Sequence, residues 1–298
     1  MQAHGAALSR LWPWRPWPLQ VWGHDAPPRA PPRVEGRVVG SHRGVVVAAP
    51  DTTAGGVGSE NAHPPALKKI LLVFPVFQAL YPRPFANFAQ VLISAGRQTG
   101  YLFGPWVIER QSLVWAMNSV GDRMLREDWE ACIIFDDDCF PPYDVIPRLL
   151  KRCFDEGHDF VTTVGLMRGY PYTTTAANYY PEGVSGRLDA EGRLDSLSGF
   201  EWLDEFPYEL KEVDFAGVPA AIIHRRCFEK IPSPWFGDLD AHGQPLTHDV
   251  FFARKLKAAG IPVMVDGTIR CGHLTDAPVI TFENRPLARA QARATVAG

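Results

Sequence analysis

The sequence predicts an α/β fold, a mostly parallel sheet with helices on both faces, preceded by an extension with no fold of its own. Two observations carry this. From Lys68 onward, short apolar runs alternate with amphipathic segments of helical period, the pattern of strands joined by crossover helices. Before residue 66 the chain is rich in Pro, Gly, Ala and Arg, as in Trp12-Pro13-Trp14-Arg15-Pro16-Trp17-Pro18, and holds no period of two or 3.6. Such a stretch buries too little apolar surface to offset chain entropy, so residues 1–66 are expected to be disordered. The early tryptophans could alternatively form a docking peptide. The folded domain is expected over 67–278 and a C-terminal tail over 279–298.

The elements follow in order. Residues 69–77 give a buried first strand, which Pro75 is expected to stop. Residues 84–95 have helical spacing at Phe85, Phe88, Val91 and Leu92. Residues 99–103 suit a short second strand. Residues 109–126 form an amphipathic helix with Leu113, Met117, Val120, Met124 and Leu125 on one face. Ala131-Cys132-Ile133-Ile134-Phe135 is a buried strand. Residues 143–156 form a helix with Val145, Ile146, Leu149, Leu150 and Phe154 inward, and Asp144 suits its N-terminus. Residues 159–164 are another strand. From 165 to 209 turn signals such as Pro181-Glu182-Gly183 and Asp189-Ala190-Glu191-Gly192 indicate loops and short hairpins, where a substrate-facing excursion would sit. Strand character returns over 213–223. Residues 247–260 are a helix with Val250, Phe251, Leu256 and Ala259 inward and Gly260 at its C-cap. Residues 263–265 form a last short strand. The tail after Phe282 is rich in Ala and Arg, either frayed or a surface helix.

Three aspartates, Asp136, Asp137 and Asp138, end the 131–135 run, and Pro141 and Pro142 prevent the strand from continuing. The carboxylates therefore lie at the C-terminal end of a strand, where open α/β sheets bind ligands. Adjacent like charges are costly unless a cation neutralises them, and a divalent metal carrying a diphosphate meets that need. An acidic surface turn is the other reading of the triplet taken by itself.

Composition narrows the function classes. The chain has 298 residues, 46% hydrophobic and 21% charged, as in ordinary soluble globular proteins. A net charge of −3 gives no electrostatic footprint for nucleic acid. The five cysteines are scattered without CxxC spacing, which argues against a zinc site or a disulfide framework and favours a reducing, cytoplasmic compartment. No apolar run has membrane-spanning length, and no secretory h-region is present at the N-terminus.

Four segments, in order, resemble the GT-A fold glycosyltransferases, especially the family-2-like bacterial and phage-type enzymes. They are the first strand ending in Phe74-Pro75, the stretch Ile108-Glu109-Arg110-Gln111-Ser112, the aspartate triplet, which is similar to the DxD motif, and a long segment from Glu212 to His273. The last contains Val213-Asp214-Phe215-Ala216-Gly217, Pro234-Trp235-Phe236, His248-Asp249 and Gly272-His273. The resemblance covers roughly residues 68–275.

The resemblance implies a nucleotide-sugar donor (a UDP- or GDP-sugar), a divalent cation, Mn²⁺ or Mg²⁺, and an acceptor hydroxyl on a glycan or other molecule. A nucleoside diphosphate leaves readily only when its charge is neutralised, and a carboxylate-held metal does this. Asp138 is expected to ligate directly, and Asp136 through water or by touching the donor ribose. Asp137 should point to the opposite side of the strand end, a structural position beside the donor. In the resemblance His273 completes the metal site, a mixed donor set that favours Mn²⁺. A hydrogen-bonded loop histidine is the alternative. Asp249 is either a helix cap or, as the resemblance implies, the general base that takes the acceptor proton while the sugar centre inverts. His248 stands where the family usually has Glu. Gly217 would let backbone approach the sugar, with Pro219 where a second Gly is usual. Pro75 belongs to the donor site. Arg110 would pair with a phosphate or a carboxylate, or stay solvated. Trp235 would stack on an acceptor sugar or pack in the core. Arg168, Tyr170 and Tyr172 lie on the rim where an acceptor could bind.

Two other classes compete. A nucleotidyltransferase would place a glycine-rich basic loop after the first strand, where this chain has Phe74-Pro75-Val76-Phe77-Gln78. A catalytically silent sugar- or nucleotide-binding module would tolerate loss of Asp249 or His273, and both are present.

Overall fold

A computed structural model describes residues 66–76, 82–169, 171–179, 200–239, 243, 245–274 and 279–297. Most of the expected extension, residues 1–65, lies outside the described residues, as do the turn signals at 181–183 and 189–192 and Tyr170.

The central sheet has seven strands: β1 (Lys68–Val76), β2 (Tyr101–Glu109), β3 (Ala131–Phe135), β5 (Phe160–Val164), β8 (Leu210–Val213), β10 (Ala220–His224) and β11 (Val263–Arg270). Their order is β2-β1-β3-β10-β5-β11-β8. β1 pairs in parallel with β2 and β3, and β11 with β5, whereas β10 and β8 run antiparallel to their neighbours. The sheet is mostly parallel, as the strand–helix alternation predicts. Two-residue strands β4 (Cys139–Phe140) and β12 (Gly272–His273) pair with each other, and β6 (Ala176–Tyr179), β7 (Phe200–Trp202) and β9 (Phe215–Ala216) form a small third sheet.

Both faces of the large sheet are covered, and β3, in its middle, is apolar and buried at every position. Alternation along β1 and β3 sends Leu71, Val73, Cys132 and Ile134 to one core, which they share with Met117, Val120 and Met124 of α2 (Leu113–Arg126), Cys227 and Phe228 of α4 (Arg225–Lys230) and Val250 and Phe252 of α5 (His248–Ala258). Ile70, Leu72, Phe74, Ile133 and Phe135 go to the other core, with Phe88 and Val91 of α1 (Pro82–Ala95) and Ile146 and Leu149 of α3 (Val145–Leu150).

Several boundaries differ from expectation, each for a physical reason. β1 runs through Pro75 to Val76, because its pairing with β3 ends at Val73 and only β2 accompanies it further. β2 is nine residues long and tolerates Pro105 because it is the edge strand. The helix expected from 109 begins at Leu113, after Arg110 turns the chain at φ 55° and Ser112 Oγ caps Trp115 N–H. The helix expected over 143–156 is α-helical only to Leu150 and continues as a π-helical turn, Lys151–Asp155. Asp144 makes no side-chain cap and instead pairs with Arg148 at 3.7 Å.

The strand expected over 213–223 is broken at Gly217–Pro219 into β9 and β10, which belong to different sheets. On α5 the buried aromatic is Phe252, not Phe251, stacked on Phe236 at 4.4 Å between centroids. Gly260 follows α5 at φ 68°, a conformation that favours glycine at a helix end. The 263–265 strand extends to Arg270 through an irregularity after Asp266. The tail forms α6 (Arg285–Ala297), and its buried Arg285 donates to the Asp204 carbonyl at 2.7 Å.

Candidate functional site

Strand order places the site. β1 leads to β2 on one side, while the chain from β3 proceeds toward β5 on the other. The connections diverge at the carboxyl ends of β1 and β3, which is where α/β sheets open a ligand crevice. A cleft of about 500 Å³ lies there, lined by Pro75 and Val76 from β1, Gln111 and Ser112 before α2, the three aspartates after β3, and Arg168 and His273.

The triplet is held by its backbone. Asp136 N–H donates to Pro219 O at 3.2 Å, and Cys139 N–H to Asp136 O at 3.2 Å. Residues 137–138 form a turn, so strand alternation no longer applies and all three aspartates line the cleft. Asp137, expected on the opposite side of the strand end, lines the cleft with its two neighbours. The β4–β12 ladder sets Cys139 against His273, and Leu274 N–H donates to Asp138 O at 2.8 Å. Residues more than a hundred positions apart in sequence are thus placed side by side.

Asp138 is 8% exposed. Its Oδ1 stands 3.3 Å from His273 Nε2 and 3.6 Å from Cys139 Sγ. Its Oδ2 is buried, in ion-pair contact with the Arg168 guanidinium but without an aligned hydrogen bond. His273 Nδ1 lies 2.6 Å from Leu166 O. A carbonyl only accepts, so Nδ1 carries the proton. Nε2 then presents a lone pair, which accepts from Arg168 Nε–H at 3.0 Å. Burial, offset in part by the Leu166 bond and reinforced by the Arg168 charge, pulls His273 down to about 4, so the imidazole is neutral at pH 7.

A carboxylate oxygen and an imidazole lone pair at 3.3 Å are two acceptors facing each other. Two ligands sharing one ion at ~2.1 Å stand about 3.0–3.4 Å apart. The pair therefore fits a bound cation, and Asp138, Cys139 and His273 form a group that could hold a metal ion. The Cys139 thiol is held well above its usual range by burial and then by the charge of Asp136, so it stays protonated unless a metal displaces the proton. Cys139 could have been singled out in the sequence, since it directly follows Asp138; its position opposite His273 could not.

Asp136 is raised to about 7, first by desolvation, then by the charges of Asp249 and Asp137, with Arg168 opposing. The Asp249 carboxylate is thus close enough to act on the triplet from the first turn of α5, where its Oδ1 also accepts from Val250 N–H at 2.9 Å. His248 begins the same helix, with Nε2 buried and unpartnered. Burial lowers its pKa, and the Asp249 charge opposes that shift.

The remaining expected residues separate. Pro75 lines the cleft. Gly217 is buried beside Thr175, and its carbonyl accepts from Thr162 Oγ1 at 2.9 Å. Arg110 lines a separate, largely apolar groove with Phe85, Leu92 and Val107, while its neighbours Gln111 and Ser112 line the cleft. Trp235 is not available to stack on an acceptor: it is 3% exposed, meets Phe228 edge-on, and donates to the Phe228 and Ile231 carbonyls. Arg168, expected on the acceptor rim, instead touches both Asp138 and His273.

No protein-family model matches the chain, and no curated protein is similar to it in sequence. Among solved structures, A197 from STIV is similar with a TM-score of 0.47 at 17% identity, over 72% of this chain and 93% of that one. GalNAc-T7 with UDP, GalNAc and Mn²⁺ gives 0.41 at 13%, over 70% of this chain and 44% of that one. A putative glucose-1-phosphate thymidylyltransferase from Bacillus anthracis gives 0.40 at 13%, over 76% and 96%.

Proposed function

We propose that this chain is a metal-dependent glycosyltransferase that moves a sugar from a nucleotide-diphosphate donor to an acceptor hydroxyl, with inversion. The observation that carries the reading is the Asp138–His273 acceptor pair, 3.3 Å apart in the cleft at the carboxyl ends of β1 and β3. Asp138 and His273 would hold the cation, with Asp136 beside them, and a donor set of carboxylate and imidazole suits Mn²⁺ better than Mg²⁺. Such a cation would neutralise the diphosphate leaving group.

The chain's own groups do the rest. Leu166 O fixes the His273 tautomer so that Nε2 faces the cleft. The Asp136 N–H bond to Pro219 O sets the start of the triplet. Asp249 takes the acceptor proton as the hydroxyl attacks the anomeric carbon from the face opposite the leaving group. Pro75 and Val76 wall the donor cleft.

Thermal shift of the full chain with UDP-, GDP- and dTDP-sugars, with and without Mn²⁺, tests this. Stabilisation by one donor only in the presence of metal, lost in Asp138→Ala, supports the reading. Product analysis separates the alternatives, since glycosyl transfer releases nucleoside diphosphate and nucleotidyl transfer releases pyrophosphate. A folded protein that no donor stabilises would leave a silent binding module.

A further inference from the structure

Arg168 holds the same two groups that a cation would need. Its Nε–H donates to His273 Nε2 at 3.0 Å, and its guanidinium contacts Asp138 Oδ2. His273 Nε2 has one lone pair in the ring plane, because Nδ1–H is committed to Leu166 O. That lone pair can accept from Arg168 or bind a metal, but not both. The two states are mutually exclusive by valence, whatever their relative energies.

Among the described residues no other hydrogen bond or ion pair holds the guanidinium in place. The Arg168 side chain is 65% exposed, and it lines the cleft beside the aspartates. Its backbone belongs to a tight, self-bonded turn: Met167 N–H donates to Thr173 O at 2.8 Å, Tyr172 N–H to Gly169 O at 2.7 Å, and Leu166 bridges Thr174. A change of partner therefore needs only side-chain rotation. The same turn supplies Leu166 O, which fixes the His273 tautomer, and Arg168, which covers the exposed lone pair.

We propose that Arg168 is a displaceable internal counter-ion: it closes the Asp138–His273 site in the cation-free protein, yields to a divalent cation, and then engages the diphosphate of the donor in the cleft. This rests on the metal-site reading above. Asp138 keeps a positive partner throughout, so the buried carboxylate is never left uncompensated. A freed guanidinium, with its planar fork of donors, is suited to phosphate oxygens. Cation and diphosphate then bind cooperatively, because the first releases a ligand for the second.

Binding of Mn²⁺ alone, followed by electron paramagnetic resonance on the full chain, tests the exchange in wild type, Arg168→Gln and Asp138→Asn. Removal of the competitor should tighten Mn²⁺ binding about five-fold or more in Arg168→Gln, while Asp138→Asn abolishes it. With Mn²⁺ saturating, inorganic pyrophosphate should bind more weakly to Arg168→Gln than to wild type. Unchanged or weaker Mn²⁺ binding in Arg168→Gln, with binding still lost in Asp138→Asn, overturns the counter-ion role and leaves the metal site standing. Equal pyrophosphate affinity in the two proteins overturns the diphosphate role. Absence of Mn²⁺ binding in both wild type and Arg168→Gln overturns the metal-site reading together with the proposal.

Discussion

His273 Nε2 and Asp138 Oδ1 face each other at 3.3 Å as two acceptors, since the only proton on the imidazole is donated to Leu166 O. Such a contact persists only where a donor or cation stands between or beside the two atoms. In this protein the Arg168 guanidinium does so.

Substitution at the cation site should separate binding from folding. Asp138→Ala removes the proposed oxygen ligand while leaving the β4–β12 ladder, which is backbone-bonded, in place. Mn²⁺-dependent stabilisation by donor should vanish in Asp138→Ala, and in wild type treated with EDTA. Retention of the shift in Asp138→Ala would place the metal elsewhere, and retention in EDTA would show that donor binding needs no metal.

Asp249→Asn should preserve donor binding and lose transfer. A positioned general base contributes about 10²–10⁴-fold, so kcat should fall by that order with little change in donor affinity. The asparagine side chain can still accept from Val250 N–H, so helix stability is largely retained. A helix cap with no catalytic role would leave kcat near the wild-type value.

Trp235 tests the correction to the acceptor reading. Its indole N–H donates to two carbonyls, and its ring lies where a Cβ on Gly121 would come within 2.4 Å. Trp235→Phe should cost about 1–3 kcal/mol in chemical denaturation, as expected when buried carbonyls lose a donor, and leave acceptor KM unchanged. Gly121→Ala should also destabilise, by about 1–3 kcal/mol, through overpacking against the ring. An acceptor KM that rises in Trp235→Phe without loss of stability would restore the stacking role.

Asp266 supplies a pH dependence. It is 1% exposed and accepts from Arg152 Nε at 2.8 Å and Thr268 N at 2.9 Å. Burial raises its pKa, but the bonds from Thr268 and Arg152 outweigh this, so it ends below its ordinary value. A depressed carboxylate contributes stability above its unfolded pKa and loses it as pH falls through the folded one. Denaturation midpoints should therefore drop on acidification below about pH 4. Asp266→Asn should be destabilised by about 3–5 kcal/mol at pH 7, as when one partner of a buried pair is removed, and should lose less on acidification than wild type. An identical acid profile for the two proteins would show that another carboxylate dominates.

Much of the fold is legible in the sequence because burial on both faces makes strands such as Ala131–Phe135 apolar throughout, and helix period marks α2 and α5. Boundaries were less legible. Pro75 breaks a strand only if both neighbours are present, and whether β3 extends that far is a tertiary fact. Phe251 and Phe252 are adjacent and both apolar, so only the packing of Phe236 against one of them decides which faces inward.

The sequence by itself determined that three carboxylates end a buried strand, since Pro141 and Pro142 follow after only Cys139 and Phe140 and the preceding run is wholly apolar. It also placed Asp249 at a helix start and His273 after the short strand expected over 263–265. Only the tertiary structure decided that β12 lies against β4, that Trp235 fills the space beside Gly121, and that Arg168 reaches Asp138 and His273. The reason is physical. Period and turn chemistry are local and can be read from neighbours in sequence. Register between distant strands, and the partner chosen by a long flexible cation, depend on which surfaces the folded chain brings together.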